Sequence, residues 1–64
     1  MEDKRYQPVY QMKSGKKDIM GNFACFTVNG AISHDYDEAV RLGNKHSSVR
    51  SGEAVLIRVN VLED

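Results

Sequence analysis

The sequence predicts an α+β fold: a small antiparallel or mixed sheet of three to four strands with one helix packed on one face, in the order ββ(β)αβ. Three observations predict it. In Glu53-Ala-Val-Leu-Ile-Arg-Val-Asn-Val-Leu62, the residues Val55, Ile57, Val59 and Val61 recur at a spacing of two, the period of a strand with one face to bury. Before it, Asp35-Tyr36-Asp37-Glu38 has the spacing of a capping box and opens a run with apolar residues at helical intervals. Earlier still, Phe23-Ala-Cys-Phe-Thr-Val28 is rich in the aromatic and β-branched residues that suit a strand.

In chain order, Met1 to Arg5 is charged, and fraying is expected over residues 1–4. Tyr6, Val9, Tyr10 and Met12 mark a first strand, in which Pro8 has no amide proton and so suits an edge or a strand start rather than a central position. Ser14-Gly15-Lys16-Lys17-Asp18 has turn composition and Gly21-Asn22 is a second irregularity, so the first connection is either a short turn with a bulged arm or a longer loop. The second strand places Ala24, Phe26 and Val28 on one face and Phe23, Cys25 and Thr27 on the other, with Phe26 and Val28 the better candidates for the inside. Asn29-Gly30 is compatible with a tight hairpin, which would return Ala31 to Ser33 as a short third strand; an extended exit toward the helix is the alternative. The helix is expected to begin at a cap on Asp35, with Ser33 competing, and to run about three turns. Its inner face would carry Tyr36, Ala39, Val40 and Gly43, flanked by Leu42. His46 to Gly52 reads as a polar connection and residues 54–62 as the closing strand.

The chain has 64 residues, enough for one domain spanning 1–64 near the lower limit for independent folding. Nine basic and nine acidic residues give zero formal net charge, against the long-range field of a general nucleic-acid binder or an acidic DNA mimic. The lone Cys25 cannot form a disulfide within the chain, and no apolar run resembles a secretion signal or a membrane span. A cytoplasmic address and no membrane partner are the expectations.

The chemical candidates are few. Cys25 with His34 or His46 would need the thiol within hydrogen-bond reach of a ring, yet the two histidines flank opposite ends of the helix. The structural alternative makes Cys25 a small buried residue and the histidines surface caps. One cysteine and two histidines also lack the paired spacing of a zinc site. Asp35, Asp37 and Glu38 sit where a helix favours acids, and Gly15-Lys16-Lys17 lacks the flanking residues of a P-loop. No catalytic residue, cofactor or metal site is therefore assigned, and an enzyme is not expected.

Two basic groups remain: Lys13, Lys16 and Lys17 in the first turn, and Arg41, Lys45 and Arg50, with His46, around the helix end. If both lie at one end of the sheet they form a patch for an acidic protein surface or for phosphates. The strand pair, the helix opening Ser33-His34-Asp35-Tyr36-Asp37-Glu38-Ala39-Val40 and the closing Gly52-Glu53-Ala54-Val55-Leu56-Ile57-Arg58-Val59 resemble the layout of small phage-encoded proteins that inhibit host enzymes or defence complexes. The first two thirds are also similar to the N-terminal half of HicB-type antitoxins, without that family's Pro-Asp-Leu-Pro-Gly stretch. Small size, neutral charge, the lack of a catalytic constellation and an exposed sheet face or edge lead to the expectation of a non-enzymatic module that binds a larger protein, with Lys13, Lys16, Lys17, Arg41, Lys45 and Arg50 of the two basic groups as its contact residues. An RNA- or single-stranded-DNA-binding domain using the same cations, with Tyr6, Tyr10 and Phe23 for stacking, is the alternative, and a homodimer is a further expectation from size alone.

Overall fold

Strand β1 (Lys4–Met12) is the axis of the molecule: in a computed structural model that describes residues 4–63, it lies between β2 (Cys25–Thr27) and β3 (Ala54–Glu63). Both pairings are antiparallel, so the α+β class holds, with three strands in the order β2-β1-β3. Residues 1–3 lie outside the described residues, so fraying there is not addressed, but Lys4 and Arg5 belong to β1 and face Glu63 and Leu62. Two helices follow β2, α1 (Tyr36–Gly43) and the four-residue α2 (Ser47–Arg50), where only one was expected.

Pro8 is the first correction, because it occupies the central strand. The Tyr6 amide donates to Ser33 O at 2.7 Å and the Met12 amide to Ala24 O at 2.9 Å, so even-numbered residues of β1 turn their nitrogens toward the β2 side. The Pro8 nitrogen therefore points to the gap between Thr27, opposite Val9, and Ser33, opposite Tyr6, where the neighbouring chain has left the ladder. No ladder bond toward β3 is lost, which removes the usual objection to proline in mid-sheet.

That gap is made by Asn29-Gly30. Val28 O accepts from the Ala31 amide at 3.1 Å around these two residues; Gly30 has φ of 84° and Asn29 does not have positive φ. A type I′ hairpin turn needs positive φ at both positions, so the turn is of the type II kind and does not reverse the strand. The chain loops out and resumes along the same edge of β1, touching it through the isolated Tyr6–Ser33 bridge. The extended exit is thus realised, and residues 31–33 are not a separate strand. The strand expected over 23–28 is correspondingly short, at three residues.

The capping at α1 also differs in detail. Asp35 Oδ1 accepts from the Asp37 amide at 3.0 Å, as an N-cap should. Glu38, however, does not reach back to Asp35; its Oε1 accepts from Ser33 Oγ at 3.0 Å, and Ser33 Oγ in turn accepts from the Asp35 amide at 3.1 Å. Both candidate caps are used, the serine as a relay. The helix has eight residues, just over two turns rather than three, and spans about 12 Å. That length matches the rise of about 13 Å from Tyr6 to Tyr10 in β1. The match is visible in the contacts: Tyr36 at the helix start meets Tyr6 edge-on, centroids 5.6 Å apart, while Tyr10 meets Val40, Gly43 and Asn44 at its end.

The core is correspondingly thin. Val9, Tyr10, Ala31, Ala39 and Ala54 are buried, with Pro8 beside Tyr10. Three of these are alanines, which let helix and loop approach the sheet closely. Tyr10 is the largest of the buried side chains: its ring stacks on Phe26 at 5.7 Å, and its hydroxyl donates to Asn44 Oδ1 at 3.1 Å. With one helical layer on one face, the Cα trace measures 42 × 25 × 15 Å, with a radius of gyration of 12.7 Å against about 11 Å for a compact chain of this length.

Directly opposed residues of antiparallel strands share a face. The helix-side face accordingly carries Tyr6, Pro8 and Tyr10 of β1, Phe26 of β2, and Leu56, Val59 and Val61 of β3. The strict alternation of β3 does not survive the fold. Val9 faces Arg58 while Tyr10 faces Leu56, so Ile57 is an extra residue, a bulge that flips the register. Val55 falls opposite Gln11 on the uncovered face, whereas Val59 and Val61 stay on the helix side, and the single buried face expected for Val55, Ile57, Val59 and Val61 is split between two.

Candidate functional site

The hydrogen bond from the Lys13 amide to Glu53 O, at 2.9 Å, joins the start of the β1–β2 connection to the chain leaving α2. Because α1 runs alongside β1 from Tyr6 to Tyr10, its C-terminal end stands at this same end of the sheet. Lys13, Lys16 and Lys17 on one connection, and Arg41, Lys45 and Arg50 around the ends of α1 and α2, are therefore grouped at the Met12 end of β1, and all six are exposed. Lys17 Nζ lies 4.9 Å from the Phe23 ring centroid, a cation–π contact beside the isolated Lys17–Phe23 bridge. His46 belongs to this end too: its Nδ1 accepts from the Ser48 amide at 3.1 Å, capping α2, and its ring lies 5.1 Å from Phe26.

Between the lysines and β2 the connection forms a built tip. Asp18 Oδ1 accepts from the amides of Met20 at 2.8 Å and Asn22 at 3.0 Å, the Asp18 amide donates to Asn22 O at 2.9 Å, and the Gly21 amide donates to Asp18 O at 3.0 Å. Four hydrogen bonds around one aspartate close the loop on itself, and Gly21 takes the positive φ of 83° that the turn requires. Ile19 and Met20 are left on the outside, at 102% and 79% exposure. The first connection is thus the longer of the two alternatives, and its apolar tip had not been singled out. The available signal was two large apolar residues set inside a stretch of turn composition.

Cys25 is exposed, not the small buried residue expected. It faces the uncovered side of the sheet because Phe26, its neighbour, points to the helices. Together with Val9, Phe26, Thr27, Arg58 and Asn60 it lines a depression of about 340 Å³. The thiol and the imidazoles are not brought together: His46 packs on the helix side of Phe26, and His34 Nδ1 lies 2.8 Å from Lys4 O at the far end of the sheet. Among the described residues no three of His, Cys, Asp and Glu gather as metal ligands, and no helix is long and apolar enough to cross a membrane.

Tyr6 and Tyr10 are turned inward rather than outward, whereas Tyr36 at the start of α1 is exposed. Tyr10 is fully buried, and Tyr6 is half-buried against Tyr36. Of the three rings considered as stacking platforms Tyr10 and Phe23 are near the basic end, but Tyr10 is buried and Lys17 already lies over Phe23. A second exposed feature is β3 itself, which pairs with β1 alone and shows Val55, Leu56, Ile57 and Val61 at 39 to 52% exposure. Comparison with protein-family models, curated proteins and solved structures gives no match to this chain.

Proposed function

We propose that the chain is a non-enzymatic protein-binding module, an inhibitor or modulator that works by occupying a surface on a larger protein. The observation that carries this is the structured tip at Ile19-Met20 beside six exposed cations at the same end of the sheet. Interfaces draw their affinity from a few apolar anchors and their orientation from the charge around them. A large apolar side chain held outward by a closed hydrogen-bonded loop loses little entropy on docking, which makes Ile19 an efficient anchor. Lys13, Lys16, Lys17, Arg41, Lys45 and Arg50 would then steer the module onto an acidic rim. The inward Tyr6 and Tyr10 favour a protein over single-stranded RNA or DNA stacked at the basic groups, because base stacking needs open ring faces and the exposed Tyr36 stands at the other end of α1.

Affinity purification of the tagged chain from its native cells, followed by mass spectrometry and direct titration of the recovered protein, tests the proposal. Ile19→Glu is expected to weaken that complex roughly ten- to hundredfold, from the 1.5–3 kcal/mol of a buried isoleucine. Charge reversal at Lys16, Lys17 or Arg50 should weaken it as well, with the circular dichroism spectrum intact. A complex untouched by all four changes sinks the proposed surface. Tight binding to oligonucleotides that collapses with added salt would replace the protein partner with a nucleic acid.

A further inference from the structure

We propose that the free edge of β3 pairs antiparallel with β3 of a second copy of this chain, about a two-fold axis at Asn60, to form a continuous six-stranded sheet. The hydrogen-bond parity of β1 supplies the first argument. Since Tyr6 and Met12 send their amides toward β2, the odd residues of β1 send theirs toward β3, in agreement with the Lys13 amide donating to Glu53 O. Their partners Arg58, Asn60 and Leu62 therefore turn their amides inward to β1, and Val59, Val61 and Glu63 turn theirs to the open edge. Three alternate residues beyond the bulge present a regular row of unmet donors and acceptors.

The side chains supply the second. Edge strands that must stay alone are short, charged, bulged or carry proline. β3 is ten residues long without lysine or proline, its bulge at Ile57 lies before the pairing row of Val59, Val61 and Glu63, and Val55, Leu56, Ile57 and Val61 are exposed along it. A two-fold at Asn60 sets Val59 of one copy against Val61 of the other, twice, on the helix-side face, and leaves the bulged Ile57 against Glu63 only at the two ends of the ladder. On the opposite face Asn60 meets its own copy and Arg58 meets Leu62, so no like charges are opposed. The neighbouring two-fold registers fit less well. Centring on Val59 brings the bulged Ile57 one pair closer to the axis, against Val61, and centring on Val61 replaces both Val59–Val61 pairs with Val59 against Glu63. A formal net charge of zero leaves two copies without net repulsion, and a 64-residue chain with so thin a core gains from any further burial. In such a dimer the two basic ends point in opposite directions, which would make the module bivalent.

The dimer is read by light scattering coupled to size exclusion across micromolar to millimolar protein. The expected mass is about twice the 7.2 kDa of one chain at the upper concentrations, and Val61→Lys is expected to return it to one. Val61 is already half exposed, so the variant should fold, and an unchanged circular dichroism spectrum checks that. Register is tested in a Cys25→Ser background. Oxidised Asn60→Cys should cross-link to its own copy, because facing residues at a position not hydrogen-bonded across the strands stand about 4.5 Å apart at Cα, within disulfide reach. Arg58→Cys should not, its copy lying about 14 Å away along the strand. Charge reversal at Lys16 or Lys17 should leave the dimer intact. A chain that stays monomeric throughout, a dimer that survives Val61→Lys, or cross-linking at Arg58→Cys in place of Asn60→Cys would each overturn the proposal.

Discussion

Gly43→Ala is the substitution on which sequence and structure give opposite signs. Alanine is favoured over glycine in a helix by about 1 kcal/mol, so on propensity alone the change should stabilise α1. In the folded chain a Cβ at position 43 would run into the Tyr10 hydroxyl and come within 2.9 Å of ring atoms Cε2 and Cζ. The ring cannot swing aside: Tyr10 is 0% exposed, stacked on Phe26 and hydrogen-bonded to Asn44. Overpacking a filled site costs about 1–3 kcal/mol, and displacing the hydroxyl adds about 1 kcal/mol for its hydrogen bond. Against the propensity gain, the net expectation is a loss of about 1–3 kcal/mol. A chain of this size has a total stability of roughly 3–10 kcal/mol, so urea denaturation followed by circular dichroism would show the loss as a lower midpoint at unchanged slope. Tyr10→Phe removes the nearest colliding atom, so the Gly43→Ala penalty should shrink in that background while part of it remains from the ring carbons. A Gly43→Ala variant as stable as the parent, or one with the same penalty in both backgrounds, would refute the placement of α1 against Tyr10.

Burial also raises the Tyr10 pKa above its ordinary value of 10.0. The folded chain then holds this proton after the unfolded chain has released it, so the stability from Tyr10 is full below about pH 10 and declines as pH rises through the folded value. Urea titrations from about pH 9 to about pH 11 should show the advantage of the parent over Tyr10→Phe narrowing across that window; a constant gap would contradict it. Asp35→Ala should cost about 1 kcal/mol for the lost N-cap, seen as a thermal midpoint lower by about 4–8 °C, while the exposed Glu38→Ala costs less. Cys25 should react with a thiol reagent in the native protein at nearly its rate in urea, because it is exposed; strong native protection would put it back in the core.

Legibility in the sequence followed the range of the interactions. The Asp35 cap depends on residues two positions apart, and Phe26 as an inward residue depends on its own size; both were readable as strings. Pro8 was misjudged because its tolerance depends on a loop twenty residues away leaving the ladder at that one point. Cys25 was misjudged for a related reason: Phe26 had to choose the helix side, and its neighbour was then sent to the face that no helix covers. At the candidate site the cations were legible individually. Their convergence was not, since it needs α1 to lie alongside β1 in one direction and the Lys13 amide to reach Glu53.

What the sequence by itself determined is the local part: the α+β class, the three strand-forming stretches, the helix start and the neutral, mixed-charge surface. These rest on periodicity, capping and turn chemistry, which act over a few residues. Only the tertiary structure decided that β1 is central, that the chain at Asn29-Gly30 continues rather than reverses, and that the valines of β3 divide between two faces. The physical reason for the last is one residue: with Ile57 bulged, the residues before it face the opposite way from where strict alternation with those after it would place them.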